Sequence, residues 1–220
     1  MSTSRRWLIG AAGWLGVVVA LGLLLKYDVA MMRFRYWLIP ERPEGMVRQV
    51  LHGFREFAQI VPIVAALIMV AIYDKKRRWK VIAIVLVAQL LGSIVYNTGK
   101  FTIARYRPNA EVEMIKDLST LTPAETWIGW RPGNGDKQTQ SFPSGHSGAA
   151  FALAGVLAWF YPPLRWLLWI LAGGCAASRY LDAVHWPSDC LAGAVIGYLA
   201  AWVSLRLFKQ RNKDIQPARK

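Results

Sequence analysis

Long apolar stretches constrain this chain more than any other feature of its sequence. Six of them occur within 220 residues, 55% of which are hydrophobic. They are Trp7–Leu25, Phe57–Tyr73, Val81–Tyr96, His146–Tyr161, Leu164–Ser178 and Trp186–Phe208. A helix of about 20 apolar residues covers the hydrocarbon core of a bilayer, and lipid satisfies backbone polar groups only in helices or closed barrels. The sequence therefore predicts an all-α fold, an integral membrane bundle of six transmembrane helices.

The basic residues predict how this bundle is oriented. The segment from Asp74 to Lys80 holds five cations in seven residues between the second and third stretches. Short loops this rich in Lys and Arg stay in the cytoplasm. Six spans then place both termini and the basic tail 209–220 in the cytoplasm, and loops 26–56, 97–145 and 179–185 outside. The expected location is the cytoplasmic (inner) membrane, as a multi-pass protein in contact with the lipid bilayer.

Composition excludes several other classes of protein. The net charge is +14, but the basic residues lie between and beside apolar stretches rather than on a soluble module, so we predict no nucleic-acid partner. Cys175 and Cys190 form neither a disulfide framework nor a zinc-ligand spacing. The sequence therefore predicts no zinc site, it gives no sign of a cofactor, and it leaves protein partners open.

The first of three polar clusters follows the third apolar stretch. Lys100 and Arg107 are seven residues apart, which is two helical turns, so in a helix they project from one face. Two cations on one face form a candidate anion site. The alternative is a pair of basic side chains that reach from the membrane edge into water.

The second cluster, S-F-P-S-G-H-S-G, covers residues 141–148 just before the fourth stretch. Pro143 and Ser144 favour a helix start, where exposed N–H groups bind phosphate oxygens. Gly145 lets an anion approach the backbone, and His146 can exchange a proton near neutral pH. The alternative is a helix cap beside a structural histidine.

The third cluster lies between the last two stretches. Arg179 can bind an oxyanion through two N–H groups. His185 precedes Asp189 by four residues, so a helix beginning near Trp186 lets the carboxylate reach the imidazole. A carboxylate on one ring nitrogen leaves the other free to attack, which makes His185 a candidate nucleophile. The alternative is a histidine–aspartate pair that closes a helix end.

Under the predicted topology all three clusters reach one membrane face. They form K-x6-R-P from Lys100, P-S-G-H at residues 143–146, and S-R-x5-H-x3-D from Ser178 to Asp189. In this order and spacing the chain resembles the membrane-bound lipid phosphatase branch of the type 2 phosphatidic acid phosphatase superfamily. The motif-bearing core covers residues 100–189, and the six-helix layout extends the resemblance to a single domain of residues 1–220.

The resemblance implies metal-independent hydrolysis of a phosphate monoester or diphosphate on a membrane lipid, at the outer membrane face. It makes His185 the nucleophile that becomes a phosphohistidine, Asp189 its orienting partner, and His146 the acid that protonates the leaving oxygen. The implied phosphate-binding residues are Lys100, Arg107, Ser144, Gly145 and Arg179. Phosphatidate, phosphatidylglycerophosphate, polyprenyl diphosphates and lipid A phosphates all fit this substrate class.

Other interpretations stay open at this point. The same phosphohistidine could serve a lipid-to-lipid phosphotransferase, and vanadate haloperoxidases belong to the same superfamily. A transporter or scaffold with a vestigial site is the non-enzymatic alternative. Arg105 and Asp182 stand at free positions of the motifs and receive no role. The insert 109–140 is either a lid that shapes the substrate site or an inert surface loop.

Overall fold

A computed structural model describes residues 3–40 and 43–211 of the chain; the predicted tail beyond Arg211 lies outside the described residues. These residues form helices joined by short segments, with one two-stranded antiparallel sheet. The helices are α1 (Thr3–Leu38), α2 (Gly45–Glu56), α3 (Ile60–Tyr73), α4 (Arg78–Thr102), α5 (Glu113–Lys116), α6 (Gly145–Phe160), α7 (Arg165–Leu181) and α8 (Pro187–Arg211). The strands are β1 (Ile103–Arg105) and β2 (Trp127–Trp130).

Six of the helices lie where the apolar stretches predict them, with different ends. Among the described residues, three are long and apolar enough to cross a membrane: α1 from Ala12, α4, and α8 as far as Lys209. The pair α2 and α3, bent by 56°, would make a fourth as a broken span, and α6 is apolar but shorter. The predicted helical membrane bundle is confirmed, while the number of six spans stays a prediction.

Helix α6 lies at the centre of the bundle and packs against α4, α7 and α8. Glycines bring α6 and α8 together, because small residues let two helix backbones approach closely. A Cβ on Gly197 would lie 2.9 Å from the backbone nitrogen of Ala152, and one on Gly193 would lie 3.1 Å from the carbonyl carbon of Ser144. This contact fixes the N-terminal ends of α6 and α8 side by side.

The insert 109–140 is folded onto the bundle. The sheet pairs Ile103 with Trp130, and the backbone N–H of Arg107 donates to the carbonyl of Gln138 over 2.8 Å. Side chains of the insert join a second apolar cluster with α1 and the turn before α8, which includes Val29, Met32, Ile115, Leu121 and Trp186. The insert is thus a packed element, held in place by the C-terminal half of α1.

Candidate active site

The start of α6 forms one wall of the site. Ser144 caps the helix with extended backbone, and its hydroxyl accepts the N–H of Ser147 over 3.5 Å, as the sequence predicts. The Lys100 Nζ atom lies 3.7 Å from where a Cβ on Gly145 would stand. The glycine therefore keeps open the space between the lysine and the first turn of α6, where unpaired N–H groups attract anions.

One sequence-based prediction about the cations is wrong. Lys100 and Arg107 do not share a helical face, because α4 ends at Thr102 and β1 carries the chain onward. The backbone of Arg105 bonds to Thr139, and Pro108 disfavours helical backbone in the residue before it. Arg107 therefore enters the site from the segment after β1.

Arg107 and Arg179 nevertheless come together. Burial lowers the pKa of Arg107, and the neighbouring Arg179 guanidinium lowers it further. Arg107 donates through Nη2 to the carbonyl of Gln140 over 3.4 Å, and Arg179 through Nη1 to Asp182 over 3.3 Å. Within the described residues, the buried Nε atoms of both arginines have no hydrogen-bond partner. Buried donors of this kind favour an anion, since an unpaired buried charge is costly.

His185 lies in the turn between α7 and α8. This turn places Ala183 in left-handed backbone at φ 53°, which lets the N–H groups of Val184 and His185 bond to the carbonyl of Arg179. The histidine side chain is 2% exposed. Burial lowers the pKa of His185 to about 4 against the opposing charge of Asp189. The imidazole is therefore neutral at pH 7, as a nucleophile must be.

Asp189 stands in the first turn of α8 behind this histidine. Its Oδ2 atom lies 3.8 Å from Nδ1 of His185, which is longer than a hydrogen bond, and Nδ1 has no hydrogen-bond partner among the described residues. Ser141 donates to Oδ2 over 2.6 Å, and the backbone N–H of Trp186 donates to it over 3.0 Å. The Arg105 Nη1 atom lies 2.6 Å from Oδ1.

His146 occupies the first turn of α6 and meets the junction of α2 and α3. Its Nε2 atom lies 3.3 Å from the side-chain nitrogen of Gln59. The backbone carbonyls of His146 and Arg55 both approach the thiol of Cys175 at 3.8 Å. The junction of α2 and α3 thus faces the same site as α6 and α8.

Four side chains at this site received no role in the sequence analysis: Asp28, Gln59, Arg105 and Ser141. Asp28 was assigned to a loop because the first span was expected to end at Leu25, whereas α1 continues to Leu38. An ionisable residue inside a membrane helix is by default a functional candidate, so the longer helix would have exposed this signal. Arg105, Gln59 and Ser141 carry no such signal, because only the packed structure shows what they contact.

Comparison of the sequence with known proteins identifies the family. The sequence profile of the PAP2 superfamily matches residues 77–213. Lipid A 1-phosphatase of Porphyromonas gingivalis is 27% identical over 164 residues, which cover 69% of this chain and 31% of that protein. Bacitracin transport permease protein BcrC of Bacillus licheniformis is 38% identical over 61 residues, covering 28% of this chain and 30% of that protein. The matches thus span less than a third of each curated relative.

A solved structure shows the same fold over nearly the whole chain. The first transmembrane PAP2-type phosphatidylglycerolphosphate phosphatase from Bacillus subtilis superposes with a TM-score of 0.58 at 16% identity, covering 92% of this chain and 98% of that one. At this identity the likeness concerns the fold. The profile match extends over more than half of the chain and includes all three motifs. The chain therefore belongs to the PAP2 superfamily.

Proposed function

We propose that this protein is a metal-independent lipid phosphatase that hydrolyses a phosphate monoester or diphosphate on a membrane lipid through a phosphohistidine intermediate. The observation that carries the proposal is the meeting of two arginines, whose buried Nε atoms have no hydrogen-bond partner within the described residues, with a neutral buried histidine. The arginines provide a site for a phosphate, and the imidazole provides a nucleophile.

The phosphate group would bind between α4, α6 and α7. Lys100, Arg107 and Arg179 supply positive charge for its oxygens, and the hydroxyl of Ser144 and the N–H of Gly145 supply further donors. Donors fixed before the substrate arrives stabilise the charge that spreads over the equatorial oxygens in the transition state. Because three side-chain cations serve this purpose, the reaction does not depend on a divalent ion for charge neutralisation.

The proposed reaction gives each of the two histidines one chemical role. His185 attacks phosphorus with Nε2, while Asp189 beside Nδ1 stabilises the positive charge that forms on the ring. His146 donates a proton to the departing lipid oxygen, which breaks the P–O bond. Water then attacks the phosphohistidine, His146 takes up its proton, and inorganic phosphate leaves as His185 returns to its neutral form.

The surroundings of the site support a lipid as the substrate. The site lies where the apolar helices α4, α6 and α8 begin or end, so a lipid can keep its chains in the bilayer and present its phosphate to the cations. Phosphatidate, phosphatidylglycerophosphate, polyprenyl diphosphates and lipid A phosphates belong to this class. With the basic loop 74–80 in the cytoplasm, the site faces outward from the cytoplasmic membrane.

The direct test measures free phosphate released from these four lipid classes by the protein purified in detergent. We expect turnover of at least one class and none with the His185→Ala variant, which should insert and melt as the wild type does. A brief reaction with substrate carrying ³²P should label the wild type through an acid-labile bond. Phosphate release by purified His185→Ala would refute the mechanism.

The same assay separates two alternatives. A lipid-to-lipid phosphotransferase would move label between lipids without releasing phosphate. The name of the Bacillus licheniformis relative raises the alternative of a transporter, which would move a lipid or peptide across vesicles without cleaving a phosphate bond. Absence of both phosphate release and phosphotransfer, with folded protein and all four lipid classes, would reject both the phosphatase and the phosphotransferase.

A further inference from the structure

A buried ion pair lies directly behind Asp189 and links it to α1. Arg105 binds Asp189 on one side and Asp28 of α1 on the other, each at 2.6 Å, and all three side chains are 0% exposed. None of the three sequence motifs gives a role to Asp28 or Arg105. A fully buried network of one cation and two carboxylates is costly to form, so its position at the active site calls for an explanation.

The guanidinium of Arg105 is held on every side. Its Nε donates to Thr126 over 3.1 Å, and its Nη1 donates to Ser188 over 2.8 Å as well as to Asp189. The rings of Trp127 and Trp186 lie 4.3 Å and 5.3 Å from its central carbon. A planar fork of N–H groups can meet these partners together, whereas a lysine ammonium presents its donors from a single point.

Asp28 also forms hydrogen bonds with the start of α8. Its Oδ1 atom accepts the backbone N–H of Ser188 over 2.9 Å, and its Oδ2 atom accepts the hydroxyl of Ser188. A carboxylate at a helix N-terminus satisfies an otherwise unpaired N–H group and complements the helix dipole. Helix α1 is therefore joined to the turn of α8 that contains Asp189.

These contacts determine how Asp189 faces the histidine. Arg105 occupies Oδ1, so the remaining oxygen, Oδ2, is the one that points to Nδ1 of His185. Without Arg105 the carboxylate would keep only its donors on Oδ2, which are Ser141 and the backbone N–H of Trp186, and Oδ1 would stay buried with no partner from β1. The ion pair thus completes the set of contacts that holds the carboxylate, and it links the α8 turn to α1.

We propose that Asp28 and Arg105 are positioning residues for the histidine nucleophile, so that α1 is a working part of the active site. This inference rests on the proposed phosphatase function. Neither residue belongs to the set proposed to bind phosphate, which consists of Lys100, Arg107, Ser144, Gly145 and Arg179. Their loss should therefore reduce the rate of the chemical step and leave substrate binding unchanged.

The test compares Asp28→Asn, Arg105→Lys and the double variant with wild type in phosphate release. We expect each single variant to lower kcat by about 10-fold or more, with KM within about twofold of wild type. Because Asp28 and Arg105 contact one another, the fall in kcat of the double variant should be smaller than the product of the two single effects. Arg105→Lys keeps the buried charge, so it provides a folded variant if Asp28→Asn does not fold.

Asp74→Asn is the matched control. Asp74 also binds an arginine, Arg77 at 3.0 Å, and a tyrosine, Tyr161 at 2.9 Å. It directly follows α3, before the N-terminal end of α4, whereas Lys100 lies near the C-terminal end of α4. The substitution should lower the melting temperature and leave the kcat of folded protein unchanged. Wild-type kcat in folded Asp28→Asn or Arg105→Lys, a rise in KM alone, or independent effects in the double variant would overturn the inference. Absence of turnover by the wild type would instead count against the proposed function.

Discussion

The contact between α6 and α8 predicts a large effect from a single methyl group at Gly197. In the Gly197→Ala variant the new Cβ would lie 2.9 Å from the backbone nitrogen of Ala152 and 2.8 Å from the carbonyl carbon of Gly148, and closer still to the carbonyl oxygen of Gly148. Ordinary contacts between such atoms are about 3.5–4.0 Å. Backbone atoms cannot rotate away as side chains do, so the two helices must separate by about 1 Å.

The expected cost follows from this overlap. Overpacking a tight contact costs about 1–3 kcal/mol, and two backbone neighbours place Gly197→Ala near the upper value. Replacing glycine by alanine within a helix stabilises the folded state by about 1 kcal/mol, which offsets part of this cost. The net destabilisation is then about 2 kcal/mol, or about 4–8 °C in melting temperature for a chain of this size.

Gly173→Ala in α7 is the matched control. Within the described part of the chain, a Cβ on Gly173 meets nothing within 4 Å. This variant gains the helix propensity without the overlap, so it should melt at or slightly above the wild-type temperature. The difference between the free energies of unfolding of the two variants measures the cost of the overlap alone, which is about 3 kcal/mol by the values above.

Separation of α6 and α8 at Gly197 should also disturb the candidate active site. Gly197 lies about 12 Å along α8 from Asp189, at about 1.5 Å per residue, and the backbone N–H of Ser144 bonds to the carbonyl of Asp189 over 3.0 Å. Separating the helices by about 1 Å should move His146 relative to His185 and lower kcat by about 10- to 100-fold. Intrinsic tryptophan fluorescence during heating and phosphate release measure both effects. Equal stability and activity of the Gly197 and Gly173 variants would refute the packing argument.

Three further predictions concern individual contacts. Ser141→Ala removes a donor to the carboxylate of Asp189, so kcat should fall by about 10-fold or more, while wild-type kcat would contradict its role. Gln59→Leu removes the side-chain contact with His146, so phosphate release should slow about fivefold for substrates with poor leaving groups and little for those with good ones. Equal slowing of both kinds of substrate would show that Gln59 does not assist proton donation by His146. Because the pKa of His185 is about 4 when folded and about 6.5 in an unfolded chain, unfolding takes up a proton in this window and stability decreases as pH falls from 6.5 to 4. The melting temperature of His185→Gln should decrease less over the same range, and parallel decreases would contradict the assignment.

Most of the helical layout could be predicted from the sequence, because the lipid bilayer restricts which backbone structures are stable. Lipid accepts no unpaired backbone group, so an apolar stretch predicts a helix nearly regardless of its neighbours. The start of α6 after Ser144 and the start of α8 at Pro187 followed from cap chemistry, which is local. The extension of α1 to Leu38 did not, because its C-terminal half is stabilised by packing against the insert and the turn before α8 rather than by apolar composition.

Some contacts of the candidate site could likewise be predicted from the sequence, and others could not. The spacing of His185 and Asp189 indicated their contact, because four residues at a helix start bring side chains together. The same reasoning was wrong for Lys100 and Arg107, because β1 interrupts the helix between them. Strand pairing depends on residues far along the chain, and no local pattern predicts that Ile103 pairs with Trp130.

By itself, the sequence determined a helical membrane protein of the PAP2 superfamily and the residue types of a candidate phosphate site, since both depend on composition and short spacings. Only the tertiary structure decided which buried residues contact Asp189 and support that site. The network from Asp28 through Arg105 to Asp189 joins a helix, a strand and a second helix that are distant in the chain. Its members were polar residues with no evident partner until packing enclosed them, because a buried charge is stabilised by neighbours in space rather than in sequence.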